Sequence, residues 1–191
     1  MDYKSIYDKL FREDPTYASH ERDELRYQFA LAQVGDTERH VDVGAGRGLF
    51  LSMLRERNKN AMLYSADLDD WSANNPGAYI ECDLSTAIGR GRLRAKGPFE
   101  SLTCLDVLEH LEERWIPFVL CTFAEASIRT VLTVANHAAV RGGTELHLTQ
   151  RSKPWWDKQI LNFFKVKHSK TEHNGRLYCY SLVSRIDNQG G

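Results

Sequence analysis

Apolar and polar residues along this chain fall into blocks whose period switches from helical to extended and back. Between residues 6 and 34 apolar positions recur at helix-like intervals, with Tyr7, Leu10 and Phe11 in one block and Leu25, Phe29 and Ala30 in the next. Asp14-Pro15 divides that stretch into two helices, because proline lacks the N–H that a helix interior requires. The first strand enters at His40 and runs into glycines at 44, 46 and 48, and an amphipathic segment follows over residues 49–57. That order predicts a buried strand, a turn that glycine backbones can make, and a helix whose free N–H groups face whatever the turn encloses. Further apolar runs at residues 61–66, 78–82, 101–105 and 130–135 predict four more strands. Residues 89–97, rich in Gly, Arg and Lys, predict a mobile loop, while residues 112–128 and 155–163 predict helices. Two last strand-like runs, 164–168 and 177–184, flank His173-Asn174-Gly175 and predict a hairpin.

Alternating strands and helices call for an α/β fold: a mainly parallel sheet with helices on both faces, here with a C-terminal antiparallel hairpin. In such sheets ligands bind beyond the C-terminal strand ends, where the winding reverses. Asp67, Asp83 and Asp106 all fall at strand ends and, with the glycine turn, should ring one crevice. Asp42 adds a fourth acid inside the glycine strand.

At 191 residues the chain suits a single domain, with residues 1–38 as a helical lid or cap and 39–191 as the core. A net charge of -1 gives no reason to expect a polyanion or a membrane surface as partner. No apolar run approaches the roughly 20 residues that span a bilayer. The start of the chain lacks the basic and apolar regions of a signal peptide. Cys82, Cys104, Cys121 and Cys179 lack metal-ligand spacing and read as buried reduced thiols, which points to the cytoplasm.

The glycine spacing is Gly-x-Gly-x-Gly, not the Gly-x-Gly-x-x-Gly of dinucleotide binders. An acid after the second strand suits a ribose diol, and one after the third can accept from an exocyclic amino group such as that of adenine. The ligand so described is adenosine joined to something small lying on the glycine turn. Val41-Asp42-Val43-Gly44-Ala45-Gly46-Arg47-Gly48, Asp67, Cys82-Asp83-Leu84 and Leu105-Asp106-Val107-Leu108-Glu109-His110-Leu111 resemble the successive motifs of class I S-adenosylmethionine-dependent methyltransferases. The resemblance spans roughly residues 40–143 and implies the Rossmann-like, seven-stranded fold of that family. It implies that Asp42, Gly44, Ala45, Gly46 and Gly48 cradle the methionine part of S-adenosylmethionine. Asp67 with Leu68 would take the ribose, Asp83 with Leu84 the adenine, and Asp106 the methionine end.

Methyl transfer from a sulfonium needs an aligned nucleophile and, where required, a base. Asp106-x-x-Glu109-His110 follows the fourth strand directly, and His147 lies further on, so Glu109, His110 and His147 are the catalytic candidates. Acid, acid, His and a later His also resemble the metal site of certain O-methyltransferases acting on small molecules and RNA ends. Asp106 stands where those enzymes usually carry Glu, which places general-base catalysis by His110 above a divalent metal, and no metal ligand is assigned. His137 is a second base candidate with a weaker claim, and Tyr17, His20 and Arg26 are candidate lid contributors. Trp155-Trp156 reads as core packing ahead of an aromatic wall over the acceptor.

The expected activity is methylation of a small-molecule hydroxyl, on a sugar or another metabolite. RNA-end or nucleotide methylation is the alternative, with Arg90, Arg92, Arg94 and Lys96 as the phosphate contact. A catalytically silent cofactor-binding subunit is the third reading, and a nicotinamide dehydrogenase is disfavoured by the glycine spacing.

Overall fold

The computed structural model describes residues 3–14, 17, 24–71 and 75–186; His20 lies outside the described residues. Helices α1 (Tyr3–Glu13) and α2 (Glu24–Val34) precede β1 (Arg39–Val43), α3 (Leu49–Arg57), β2 (Met62–Asp67) and β3 (Ala78–Glu81). Helix α4 (Ala87–Lys96), β4 (Phe99–Leu105), α5 (Ile116–Ala126) and β5 (Ser127–Ala135) continue the alternation. A two-stranded ribbon of β6 (Val140–Arg141) and β7 (Thr144–Glu145) leads to α6 (Lys153–Leu161), β8 (Phe164–Glu172) and β9 (Leu177–Ser184). The seven-stranded sheet has the order β3-β2-β1-β4-β5-β9-β8. Only β9 runs antiparallel to the other strands of that sheet, and it pairs with both β5 and β8. The order reverses between β1 and β4, so the crevice that forms there lies directly above the glycine turn.

Two apolar layers hold the sheet. On one face Val41, Val43, Leu102 and Cys104 pack with Leu93, Phe123 and Trp156. On the other, Tyr27, Phe29 and Ala30 of α2 and Phe50 and Leu54 of α3 pack with Leu63, Val131 and Cys179. Within the stretch expected to form a lid, α2 is therefore a packed part of the core, whereas α1 lies over the cleft. Trp156 is fully buried and Trp155 packs against the same cluster, so both tryptophans serve the core. All four cysteines are free, three of them buried and Cys121 partly so. No helix among the described residues is long and apolar enough to cross a membrane.

The segment expected to be a mobile loop is helix α4. Thr86 caps it, accepting the Gly89 N–H at 3.0 Å. Gly89 is needed because a Cβ there would stand 2.2 Å from the backbone oxygen of Asp83. Of its arginines, Arg90 is used inside the fold, and Arg92 and Arg94 form surface pairs. Arg90 is buried, donates to the Leu84 carbonyl at 2.6 Å, and lies over the rings of Trp115 and Phe118. Arg92 pairs with Glu81 and Arg94 with Glu125. Glycine and charge pointed to a loop, while the buried stripe of Gly89, Arg90 and Leu93 makes it a helix. The helix expected over 112–128 is also shorter. Two 3-10 turns, Leu108–His110 and Glu113–Trp115, precede α5, and β5 starts already at Ser127.

Candidate active site

A cleft of about 620 Å³ opens at the C-terminal ends of β1, β2 and β4. Its floor is the glycine turn. Gly44, at φ +74, donates to the Ala66 carbonyl at 2.7 Å, and a Cβ on it would stand 2.2 Å from Cγ2 of Val107. Gly46 donates its N–H to Asp67 Oδ2 at 2.8 Å, and Leu68 N–H reaches Asp67 Oδ1 at 2.7 Å. The second-strand acid therefore clamps the turn as well as facing the cleft. Burial raises the Asp67 carboxyl above its usual value, against the pull of those two N–H groups. Gly48, at φ +72, caps α3 and faces Asn75, so it shapes the turn from behind and does not line the cleft.

Asp42, Ala45, Leu68, Asp83, Leu84 and Asp106 all line the same cleft. Asp83 Oδ1 accepts from the backbone N–H and hydroxyl of Ser85, at 2.8 and 2.7 Å, and its other oxygen takes none of these bonds. Asp42 is buried and accepts from Thr103 Oγ1 at 2.6 Å; burial lifts its carboxyl to about 7. Asp106 adopts a left-handed φ of 54, unusual for a residue with a Cβ, and both its oxygens are engaged. Arg26 Nη1 from α2 donates to Oδ2 at 2.9 Å, and Thr133 Oγ1 donates to Oδ1 at 2.5 Å.

Beyond Asp106 the 3-10 turn carries Glu109 and His110 to the cleft wall, where β7 and the residues after it bring His147. One ligand atom from each of Glu109, His110 and His147 lies within 4.8 Å of the others. Both rings are fixed by carbonyls. His110 Nδ1 is 3.1 Å from the Leu146 oxygen and 2.7 Å from the Tyr7 hydroxyl, and His147 Nδ1 is 2.6 Å from the His137 oxygen. A carbonyl only accepts, so His147 Nδ1 carries the proton and its Nε2 keeps its lone pair, whereas His110 Nδ1 faces both a carbonyl, to which it would donate, and a hydroxyl, which can donate to it. Glu109 is fully buried behind the wall; its Oε1 accepts from Ala135 N–H at 3.0 Å, and no partner contacts Oε2. Burial, reinforced by Asp106, raises the Glu109 carboxyl well above its usual value. Burial, reinforced by His147, holds His110 down at about 4, and burial also lowers His147. At neutral pH the two imidazoles are thus neutral acceptors. His137 contributes its carbonyl to His147 and also lines the cleft.

Helix α1, within the stretch expected as a lid, covers the cleft through residues not named among its contributors. Lys4, Tyr7 and Phe11 share one helix face; Lys4 pairs with Asp69, and Phe11 stacks on Trp71 at 4.6 Å. Tyr17 packs edge-on to Phe11, with its phenol pushed up to about 12 by burial. Spacing of three and seven residues was the available signal, but an amphipathic first helix reads the same whether it covers core or cleft.

No protein-family model and no curated protein matches this sequence. Solved structures do match in shape. The chain is 15% identical to Burkholderia thailandensis 1,6-didemethyltoxoflavin-N1-methyltransferase, solved with 1,6-didemethyltoxoflavin and S-adenosylhomocysteine, with 97% of this chain and 88% of that one covered at a TM-score of 0.73. It is 13% identical to the N-methyltransferase NodS of Bradyrhizobium japonicum WM9 in complex with S-adenosylhomocysteine, over 96% and 98% of the chains, TM-score 0.65. Magnesium protoporphyrin IX methyltransferase of Synechocystis PCC 6803, with S-adenosylmethionine bound, is 16% identical over 96% and 98%, TM-score 0.64. With the sheet order and the glycine turn, these likenesses show that the chain has the fold of the S-adenosylmethionine-dependent methyltransferases.

Proposed function

We propose that this protein transfers a methyl group from S-adenosylmethionine to a small-molecule hydroxyl held beside His110. The observation that carries the reading is the pairing of two features in one cleft. An acid-lined glycine floor lies at one end, and two neutral imidazoles lie beyond Asp106. The cleft's volume of about 620 Å³ is in the range of cofactor sites. Its carboxylates at Asp67 and Asp83 suit ribose and adenine donors and a cationic ligand, and a pyrophosphate would meet them unfavourably. The Gly46 N–H, which could have faced a phosphate, is already taken by Asp67. Gly44, Ala45 and Gly46 would hold the methionine part, Asp67 and Leu68 the ribose, and Asp83 and Leu84 the adenine. S-adenosylmethionine, when bound, supplies a methyl group activated on a sulfonium.

The chain's own contribution is orientation and proton removal. His110 is anchored through Nδ1, and its Nε2 can take the acceptor's proton. His147 stands next to it at a ring separation of 4.7 Å. Glu109 stands behind them, its buried carboxyl held neutral by burial and by Asp106. Solved proteins of this fold hold S-adenosylmethionine or S-adenosylhomocysteine, and one of them also holds 1,6-didemethyltoxoflavin, which supports the cofactor and a small-molecule acceptor. Phosphate recognition loses Arg90, which is buried against Leu84, Trp115 and Phe118, while Arg92 and Arg94 stay half exposed in surface pairs with Glu81 and Glu125.

A second reading uses the same three side chains. Glu109, His110 and His147 each bring a ligand atom within 4.8 Å of the others, Glu109 Oε2 has no hydrogen-bond partner among the described residues, and imidazoles held by backbone carbonyls are how metal-binding histidines are oriented. A divalent cation there would polarise the accepting hydroxyl. Asp106 stays outside this set, committed to Arg26 and Thr133.

The test is a stepwise one. Thermal shift with S-adenosylhomocysteine and with NAD comes first, and stabilisation by NAD alone would overturn the cofactor. Methyl transfer from labelled S-adenosylmethionine is then followed over hydroxyl-bearing acceptors, for the wild type and His110→Ala, with and without a chelator. His110→Ala should bind S-adenosylhomocysteine as the wild type does and lose transfer at least about 100-fold, the lower end of general-base contributions. Turnover at the wild-type rate would refute the role of His110. Cofactor binding without turnover on any acceptor would favour the silent-subunit reading.

A further inference from the structure

Central strands of a parallel sheet covered on both faces should present apolar side chains to either side. One face of β1 and β4 departs from this. His40, Asp42, Ser101 and Thr103 are all buried there, alternating with the valines, leucine and cysteine of the other face. Their polar atoms form one continuous chain. Thr103 Oγ1 donates to Asp42 Oδ1 at 2.6 Å and lies 3.0 Å from His40 Nε2. His40 Nδ1 is 2.8 Å from Ser101 Oγ, which is 2.9 Å from Thr37 Oγ1, which is in turn 3.2 Å from Glu100 Oε2. One end opens into the cleft at Asp42. The other ends at the surface, where Glu100 pairs with Arg129 at 2.9 Å.

Each hydroxyl carries one proton and a neutral imidazole one N–H, so the chain has two ordered directions. With Asp42 ionised, Thr37 donates to Ser101, Ser101 to Nδ1, Nε2–H to Thr103, and Thr103 to Asp42. With Asp42 protonated on Oδ1, every donor turns round: Asp42 to Thr103, Thr103 to Nε2, Nδ1–H to Ser101, Ser101 to Thr37, and Thr37 to Glu100. The two states differ by one proton, taken in at the Glu100 end and delivered to Asp42, and no heavy atom changes partner. A charged imidazolium is opposed by full burial and by Arg129, which together hold His40 at about 3.

We propose that this chain is a proton path through the sheet, in which His40 changes tautomer as Asp42 gains or loses its proton, so that a cationic ligand in the cleft is linked to proton release at Glu100. Only the identity of that ligand rests on the function proposed above. S-adenosylmethionine brings a positive sulfonium to the Asp42 side and S-adenosylhomocysteine does not, so the two should act differently. The groups facing Asp42 are Thr103 from β4, Asp67 from β2 and Arg26 from α2; Asp67 opposes its ionisation and Arg26 favours it. Cys104 on β4 also feels Asp42, and burial keeps its thiol protonated. His40 is faced by Arg129 from β5 and by the Phe50 ring of α3, 5.8 Å away.

The experiment is side-chain nitrogen NMR on the full chain labelled at histidine, from pH 5 to 9. His40 should pass from the Nδ1–H to the Nε2–H form as pH rises and stay neutral throughout. S-adenosylmethionine should move that midpoint down in pH, and S-adenosylhomocysteine should move it less. Ser101→Ala removes the partner of Nδ1 in both states, so it should shift the midpoint, and Asp42→Asn should abolish the exchange. A single tautomer across the whole range, or an imidazolium within it, would overturn the proposal. So would S-adenosylmethionine binding that leaves His40 unchanged. A pH-driven exchange in a protein that does not bind S-adenosylmethionine would support the path and sink the cofactor reading.

Discussion

Gly44→Ala tests whether the glycine turn and the loop carrying Glu109 and His110 are one mechanical unit. Two separate costs arise at this position. A φ of +74 is left-handed backbone, which costs an L-residue roughly 1–2 kcal/mol. The new Cβ would also stand 2.2 Å from Val107 Cγ2 and 3.2 Å from Cβ and Cγ1 of the same side chain. Overpacking of this kind costs roughly 1–3 kcal/mol, which makes about 2–5 kcal/mol in all. Val107 sits between Asp106 and the turn that carries Glu109 and His110, so relief of the clash moves that turn. The two costs separate in a double-mutant cycle. Val107→Ala removes the two Cγ atoms, so in that background Gly44→Ala should cost only the backbone share, about 1–2 kcal/mol. Urea unfolding followed by tryptophan fluorescence gives the four stabilities, and calorimetric titration gives S-adenosylhomocysteine affinity for each. Affinity should fall in Gly44→Ala and recover partly in the double variant. Equal cost of Gly44→Ala in both backgrounds would refute the reasoning, because no coupling through Val107 would then exist.

Three further outcomes are expected. Arg26→Met removes the cation from Asp106, with the paired side chains only 11% and 18% exposed, and should cost about 3–5 kcal/mol in urea unfolding, much of it restored by adding Asp106→Asn; a cost near zero would mean the pair is idle. Asp42 has its folded carboxyl raised from 3.8 to about 7, so the folded state holds a proton that the unfolded chain has lost, and stability drains away as pH rises through that window. Relative to the wild type, Asp42→Asn should therefore gain up to about 4 kcal/mol between pH 4 and pH 8, at about 1.4 kcal/mol per pH unit, and a difference independent of pH would contradict the burial argument. Arg90→Ala breaks the 2.6 Å bond to the Leu84 carbonyl and the contact with Trp115 and Phe118, so it should cost about 1–3 kcal/mol of stability. It should leave the salt dependence of methyl transfer unchanged, whereas a reduced salt slope would restore this helix as a phosphate contact.

Much of the fold was legible from local signals that survive in any context. Glycine at 44, 46 and 48 has positive φ in the folded protein, and a residue that alone tolerates such backbone marks its turn from the sequence. Apolar runs ending in Asp67 and Asp106 located β2 and β4 and the rim of the crevice, because strand period and strand-end chemistry are carried by adjacent residues. Other features depended on partners distant in the chain. Arg90 resembles a solvated loop residue until Leu84, Trp115 and Phe118 surround it. Glu109 and His110 are neighbours in sequence, yet folding buries one behind the wall and sets the other in the cleft, where His147 joins it. Arg26 meets Asp106 across 80 residues. His40 marks only the start of a strand in the sequence, and the pairing of β1 with β4 sets it between Thr103 and Ser101. Sequence by itself determined the turn, the strands and the acids along the crevice, since those rest on backbone conformation and local period. Charge state, tautomer and the company each side chain keeps were decided by tertiary structure, because desolvation and hydrogen-bond partners come from residues that only folding brings together.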